Sequence, residues 1–183
     1  MRIPVTPLVV ASIAWAISVE ARPQRQTAVS SATLTAAAFS TEATTDQTVV
    51  VVPPDGQKFL WVSAKLASAP QTIDLTKVAV VSGAAHYPLL GVDSAFGGDP
   101  KMFSMIAPVP AKKGGIHEPL EESRSIGIIA FAFTPGKSAT LKVNDASAAF
   151  CLLFAVPPTF QMGQVRGLTA QDIGLPPVKK LTM

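Results

Sequence analysis

The chain has 183 residues, 48% hydrophobic and only 15% charged, with a formal net charge of +3. That length is enough for one self-sufficient core, since a domain of about 150 residues buries about 70% of its unfolded surface. The charge pattern excludes an electrostatic nucleic-acid surface: the adjacent basic pairs are Lys112-Lys113 and Lys179-Lys180, and no basic stripe interleaved with aromatics accompanies them.

Residues 1–21 are read as a secretory signal peptide. Arg2 supplies a positive start, Leu8 to Val19 is an uncharged apolar run, and Val19-Glu20-Ala21 offers a cleavage site, so the mature chain is expected to begin at Arg22. The run falls short of the roughly 20 apolar residues that a bilayer requires, and no second candidate follows, so no membrane span is expected in the mature chain. No cysteine follows it, which argues against a lipoprotein anchor, and Arg22 and Arg25 are not adjacent, which argues against a twin-arginine signal. The expected location is secreted or periplasmic. Heavy alanine use and a single asparagine, Asn144, point to a GC-rich bacterial source.

Residues 22–46, rich in Ala, Ser and Thr, read as a flexible lead-in or a first edge strand around Ala28 to Leu34. A β-domain is expected over 47–158. Thr48 to Val52 is a β-branched strand stopped by Pro53-Pro54-Asp55-Gly56. Lys58 to Leu66 alternates, with Leu60, Val62, Ala64 and Leu66 on one face and Phe59, Trp61, Ser63 and Lys65 on the other. Ile73 to Val81 repeats that period as one strand. Shorter strands fit Tyr87 to Leu90 and Met102 to Ile106. Glu118 to Glu122 fits one helical turn with proline near its start. Arg124 to Phe133 reads as one long apolar strand, Thr134-Pro135-Gly136-Lys137 as a type II turn, and Ser138 to Val143 as an alternating strand. After Asn144-Asp145 comes Ala148 to Val156, so the last three strands are expected to form an antiparallel meander. The tail, 159–183, packs on the domain or extends from it. The fold class is therefore all-β, an immunoglobulin-like β-sandwich of about seven to nine antiparallel strands, with a small β-barrel as the alternative.

Three segments carry a family resemblance: Phe59-Leu60-Trp61-Val62, Phe131-Ala132-Phe133-Thr134-Pro135-Gly136 and Phe154-Ala155-Val156-Pro157. Across residues 48–157 the chain resembles the immunoglobulin-like extracellular domains of bacterial exported proteins. It departs from them in lacking a lipobox and the Asn that often follows the opening strand. The resemblance implies a binding or accessory role and carries over no catalytic residue.

The residues offer little catalytic equipment. There are two histidines, His86 and His117, without His-x-His, His-Glu-x-x-His or a cysteine pair. Gly91-Val92-Asp93-Ser94-Ala95 does not fit a nucleophile elbow. Asp93 and Asp99, around Gly97-Gly98, fall short of a calcium loop. Glu121-Glu122 reads as a solvated face, and Cys151, the lone cysteine, as a small buried hydrophobe that can form no intramolecular disulfide. No cofactor, metal site or catalytic residue is assigned.

The unusual feature is surplus apolarity. Ile126, Ile128, Ala130 and Ala132 back Gly127, Ile129, Phe131 and Phe133. Ala149, Cys151, Leu153 and Ala155 back Phe150, Leu152, Phe154 and Val156. Both faces of both strands require cover, from the tail, from the 91–122 loop, or from another subunit. Ile129, Phe131, Phe133 and Leu153 are the candidate interface if a protein partner or self-association supplies it. The 91–122 loop, with Lys112, Lys113, His117 and Glu118, is the candidate binding loop. The expected function is an exported, non-catalytic binding or accessory protein. The alternatives are a small metal-binding protein or enzyme using His86, His117 and nearby acids, and a structural subunit of a surface assembly.

Overall fold

A computed structural model describes residues 32–82, 84–96, 101–161, 168–170 and 173–174. The segment read as a signal peptide, the Gly97-Gly98-Asp99 stretch and most of the tail lie outside the described residues. Among the described residues the architecture is all-β, in several sheets, none closed into a barrel. Among the described residues no helix is long and apolar enough to cross a membrane.

The strands are β1 (Ala32–Ser40), β2 (Ala43–Thr45), β3 (Val50–Val51), β4 (Lys58–Leu66), β5 (Gln71–Asp74), β6 (Val78–Ser82), β7 (Ala85–Asp93), β8 (Met102–Met105), β9 (Val109–Pro110), β10 (Ile116–His117), β11 (Glu122–Ser125), β12 (Ile129–Thr134), β13 (Ser138–Val143), β14 (Ala149–Val156), β15 (Leu168–Ala170) and β16 (Ile173–Gly174). The larger sheet runs β1-β4-β14-β7-β6-β15-β16. β8 also pairs with β7, and β2 pairs with β8 and β3. The smaller sheet runs β11-β12-β13-β5, and β9 and β10 form a separate hairpin.

The described residues form sixteen short strands where seven to nine are expected, and two expected segments break where alternation alone does not show it. The expected strand over Ile73 to Val81 is interrupted by a 3-10 turn, Leu75–Lys77, whose entry Asp74 caps by accepting the Thr76 N–H at 3.1 Å. The turn shifts the alternation by one residue, so Ile73 is buried before it, Leu75 at its start, and Val78 and Val80 after it. It also hands the chain from the smaller sheet (β5) to the larger (β6).

The expected strand over Arg124 to Phe133 is a hairpin. Gly127 turns at φ 80°, the Ile126 N–H donates to the Ile129 carbonyl, and β11 folds back on β12. Residues 118–121 are not helical, and Glu122 opens β11. The expected meander also breaks. β12 and β13 form a hairpin around Gly136, where positive φ after Pro135 fits the type II turn. β14, however, leaves β13 and inserts between β4 and β7 in the larger sheet.

Burial explains that crossing. β14 is apolar on both faces, so its favourable place is a central strand with a core on each side. Phe150, Leu152, Phe154 and Val156 join Leu60, Val62 and Ala64 of β4 and Ile129, Phe131, Phe133, Leu141 and Val143 of the smaller sheet in the main core. Cys151, Leu153 and Ala155 face the other way. With Phe59 they meet Ala43, Val51, Phe103, Met105 and Val109 in a second core. The back of β14 is thus covered within one chain, by the 43–51 segment and the 102–109 part of the long loop. Gly91 lets β8 approach β7 closely: a Cβ there would lie 2.9 Å from Met105 Sδ and 3.0 Å from the Ser104 carbonyl oxygen.

The chain end that follows β14 is tied down by aromatic contacts. Lys58 Nζ donates to the Phe160 carbonyl at 2.7 Å and sits 3.6 Å over the Phe39 ring, while Phe160 packs edge-on against Phe39 and Tyr87. β15 then pairs with β6.

Candidate functional site

The candidate interface residues do not lie on the surface. Ile129, Phe131 and Phe133 fill the main core and Leu153 the second, all at 5% exposure or less, because the strands carrying them are covered by other parts of the same chain. Among the described residues, the large apolar side chains that are exposed are Ile116, Leu120, Ile126 and Ile128.

The candidate binding loop is likewise not one surface. Residues 109–117 fold as the β9–β10 hairpin docked on β3, with the Lys112 N–H donating to the Val50 carbonyl and the Val52 N–H to the Pro110 carbonyl. Lys112 pairs with Glu42. Lys113 and Glu118 are exposed, but His117 is buried opposite Val109. His86 is exposed near the start of β7, on a different sheet from His117, and Asp93 is buried at the far end of β7. Among the described residues no three His, Cys, Asp or Glu side chains gather to hold a metal ion.

Cys151 is buried in the second core, opposite Ser63. Burial pushes its thiol up, opposed by the Ser63 hydroxyl and the Lys101 ammonium. Lys101 lies 5.1 Å from the Trp61 ring centroid. The dominance of burial keeps the sulfur a thiol and chemically quiet.

The polar constellation that the structure assembles lies elsewhere, where the open side of the smaller sheet meets the β2–β8 layer. In the β11–β12 ladder Glu122 stands opposite Phe133, and Arg124 opposite Phe131. Cross-strand partners share a face, so both charged side chains project on the core side of the sheet, at its edge. On β8, Phe103 and Met105 enter the second core, and the period of two turns the intervening Ser104 the opposite way, toward β11. Asp46 follows β2, with its N–H donating to the Phe103 carbonyl at 3.2 Å.

These elements bring four side chains together. Ser104 Oγ donates to Asp46 Oδ2 at 2.7 Å, Arg124 Nη2 reaches the same oxygen at 3.4 Å, and Arg124 Nε pairs with Glu122 Oε1. The Asp46 side chain is only 6% exposed and that of Glu122 17%, against 45% for Arg124. Burial raises the Glu122 carboxyl above its ordinary range, with the Ser104 hydroxyl opposing, Asp46 adding to the rise and Arg124 opposing it. Beside them opens a cleft of about 350 Å³ lined by Asp46, Gln47, Arg124 and residues 120–123. Glu121 points to solvent and accepts from Thr134 Oγ1 at 3.2 Å.

The arrangement can hold a proton between two carboxyls and can present negative charge beside an apolar wall. Asp46, Ser104 and Arg124 carry no motif, and Glu122 reads as half of a solvated pair while 118–122 is taken as a helical turn. The signal was the spacing of Glu122 and Arg124: on a strand, residues two apart share a face. The chain matches no known family model, no curated protein and no solved structure.

Proposed function

We propose that the protein is an exported, non-catalytic binding domain of immunoglobulin-like type whose ligand surface is the cleft between Asp46 and β11. The observation that carries this reading is the composition of that cleft. Three acidic side chains, Asp46, Glu121 and Glu122, line the cleft with one arginine, and Leu120, 60% exposed, forms an apolar wall beside them. A cationic head on an aliphatic stem, such as a lysine or arginine side chain of a partner protein, meets both requirements: the head pairs with carboxylate and the stem covers Leu120.

The internal packing of the domain supports the same reading. Both faces of β14 are covered within the chain. The fold therefore does not need a second subunit to satisfy its apolar strands, and a partner can come and go.

The test is a calorimetric titration with short peptides that differ only in a central Lys, Arg, Glu or Ala. The Lys and Arg peptides should bind, and binding should weaken with salt. Glu121→Gln and Leu120→Ala, both at exposed positions, should each weaken binding by about twofold to fivefold, the size of one exposed ion pair or one modest apolar contact. Equal binding of all four peptides, or none, refutes the assignment.

A further inference from the structure

We propose that Asp46, Ser104, Glu122 and Arg124 form a proton-operated latch that ties the edge strand β11 to the β2–β8 layer and sets how far the neighbouring cleft stands open. The latch joins two parts of the molecule that share no strand pairing: β11 belongs to the smaller sheet, β2 and β8 to the larger. Across this junction the described contacts are polar. Arg124 holds Asp46 on one side and Glu122 on the other, and Ser104 secures Asp46 from β8. β11 is an edge strand, hydrogen-bonded along one side to β12. It is therefore an element able to move without opening a core.

The charges around Glu122 give the direction of the switch. Asp46 approaches it from the segment after β2 and Arg124 from its own strand. β8 presents the uncharged Ser104, and β12 places Phe133 opposite it. Glu121 is the remaining acid lining the cleft, and no lysine or histidine is among the lining residues. With a proton on Glu122 the two carboxyls can share a hydrogen bond and Arg124 balances a single negative charge. Without it, two carboxylates compete for one guanidinium that is itself 45% exposed and screened. A carboxyl raised on folding contributes stability that is fully present below its ordinary range and is lost as pH rises through its raised value. The latch is therefore closed where Glu122 keeps its proton and loosens as pH rises through its raised value. The consequence for ligand affinity rests on the binding reading above, whereas the latch itself does not.

The test is hydrogen exchange on the full-length chain without ligand, followed at the amides of 45–49 and 122–125 between about pH 5 and pH 8, after correction for the intrinsic pH dependence of exchange. Protection in these two segments should fall about threefold to tenfold as pH rises, while the amides of β4 and β14 keep theirs. In Glu122→Gln, which keeps the size and hydrogen-bonding of the side chain, protection should no longer change with pH. In Asp46→Asn the fall should move to lower pH. Flat protection in the wild type, an unchanged fall in Glu122→Gln, or an equal fall in β4 and β14 each overturns the latch. Peptides that fail to bind a protein whose exchange behaves as described overturn the binding reading alone.

Discussion

The second core makes a quantitative prediction at Leu153. Its side chain is fully buried against a layer formed by residues 43–51 and 103–109 rather than by the other sheet. Leu153→Ala removes three carbon groups, about 2.4 kcal/mol of transfer free energy at about 0.8 kcal/mol each. The void left behind adds to that, because packed surroundings relax only in part, and brings the expected loss to about 3–4 kcal/mol. The comparison is Ile128→Ala on the β11–β12 turn. Ile128 is 45% exposed, and its truncation should cost less than about 1 kcal/mol. Urea unfolding of both variants, read by tryptophan fluorescence, measures the difference. Thermal unfolding should show Leu153→Ala lowered by about 6–16 °C at roughly 2–4 °C per kcal/mol. A loss below about 1 kcal/mol at Leu153 would mean that the back of β14 is not packed within the chain, and the case for a self-sufficient domain would fail with it.

Two further outcomes follow from named contacts. Lys58→Met keeps the stem of the side chain but removes both the hydrogen bond to Phe160 and the cation over Phe39. It should cost about 1–3 kcal/mol and expose the 157–160 segment to proteolysis; an unchanged melting temperature and cleavage pattern would show that the cage does not hold the chain end. Cys151 should resist a thiol reagent in the native protein and react at once in urea, since it is buried and its thiol is pushed up by burial. Fast native labelling at neutral pH would contradict that placement.

Period-two patterns made several elements legible before the structure. β4 and β13 occupy the expected residues because their alternation is clean and their ends carry turn residues. The all-β class followed from the same patterns, and so did the recognition that β14 requires cover on both faces. What alternation cannot show is which strands pair. Strands β12, β13 and β14 follow one another in sequence, yet the two-faced burial of β14 outweighs the short connection and carries it to the other sheet. Breaks of phase were also hidden. Asp74 caps a turn through a local hydrogen bond, and Gly127 reverses a strand with a single positive φ, and neither disturbs the run of apolar residues around it. The polar cluster was least legible. Its members come from four positions spread over residues 46–124, and their meeting depends on those unforeseen pairings.

The same geometry links the cleft to the core behind it. Ser104 is aimed at Asp46 because Phe103 and Met105, on either side of it, are anchored in the second core. Asp46 is held by its N–H on Phe103, so its position is set by the same strand. One half of the cleft is therefore built on the layer that covers β14, and the other half on an edge strand that can move. A site assembled in this way has a firm wall and a compliant one. Damage to the second core should spread to the cleft by displacing Asp46 and Ser104 together. Changes at exposed Glu121 or Leu120 alter the surface a ligand meets without touching either core. That separation lets stability and binding be perturbed independently, and it places the decisive experiments at the edge strand.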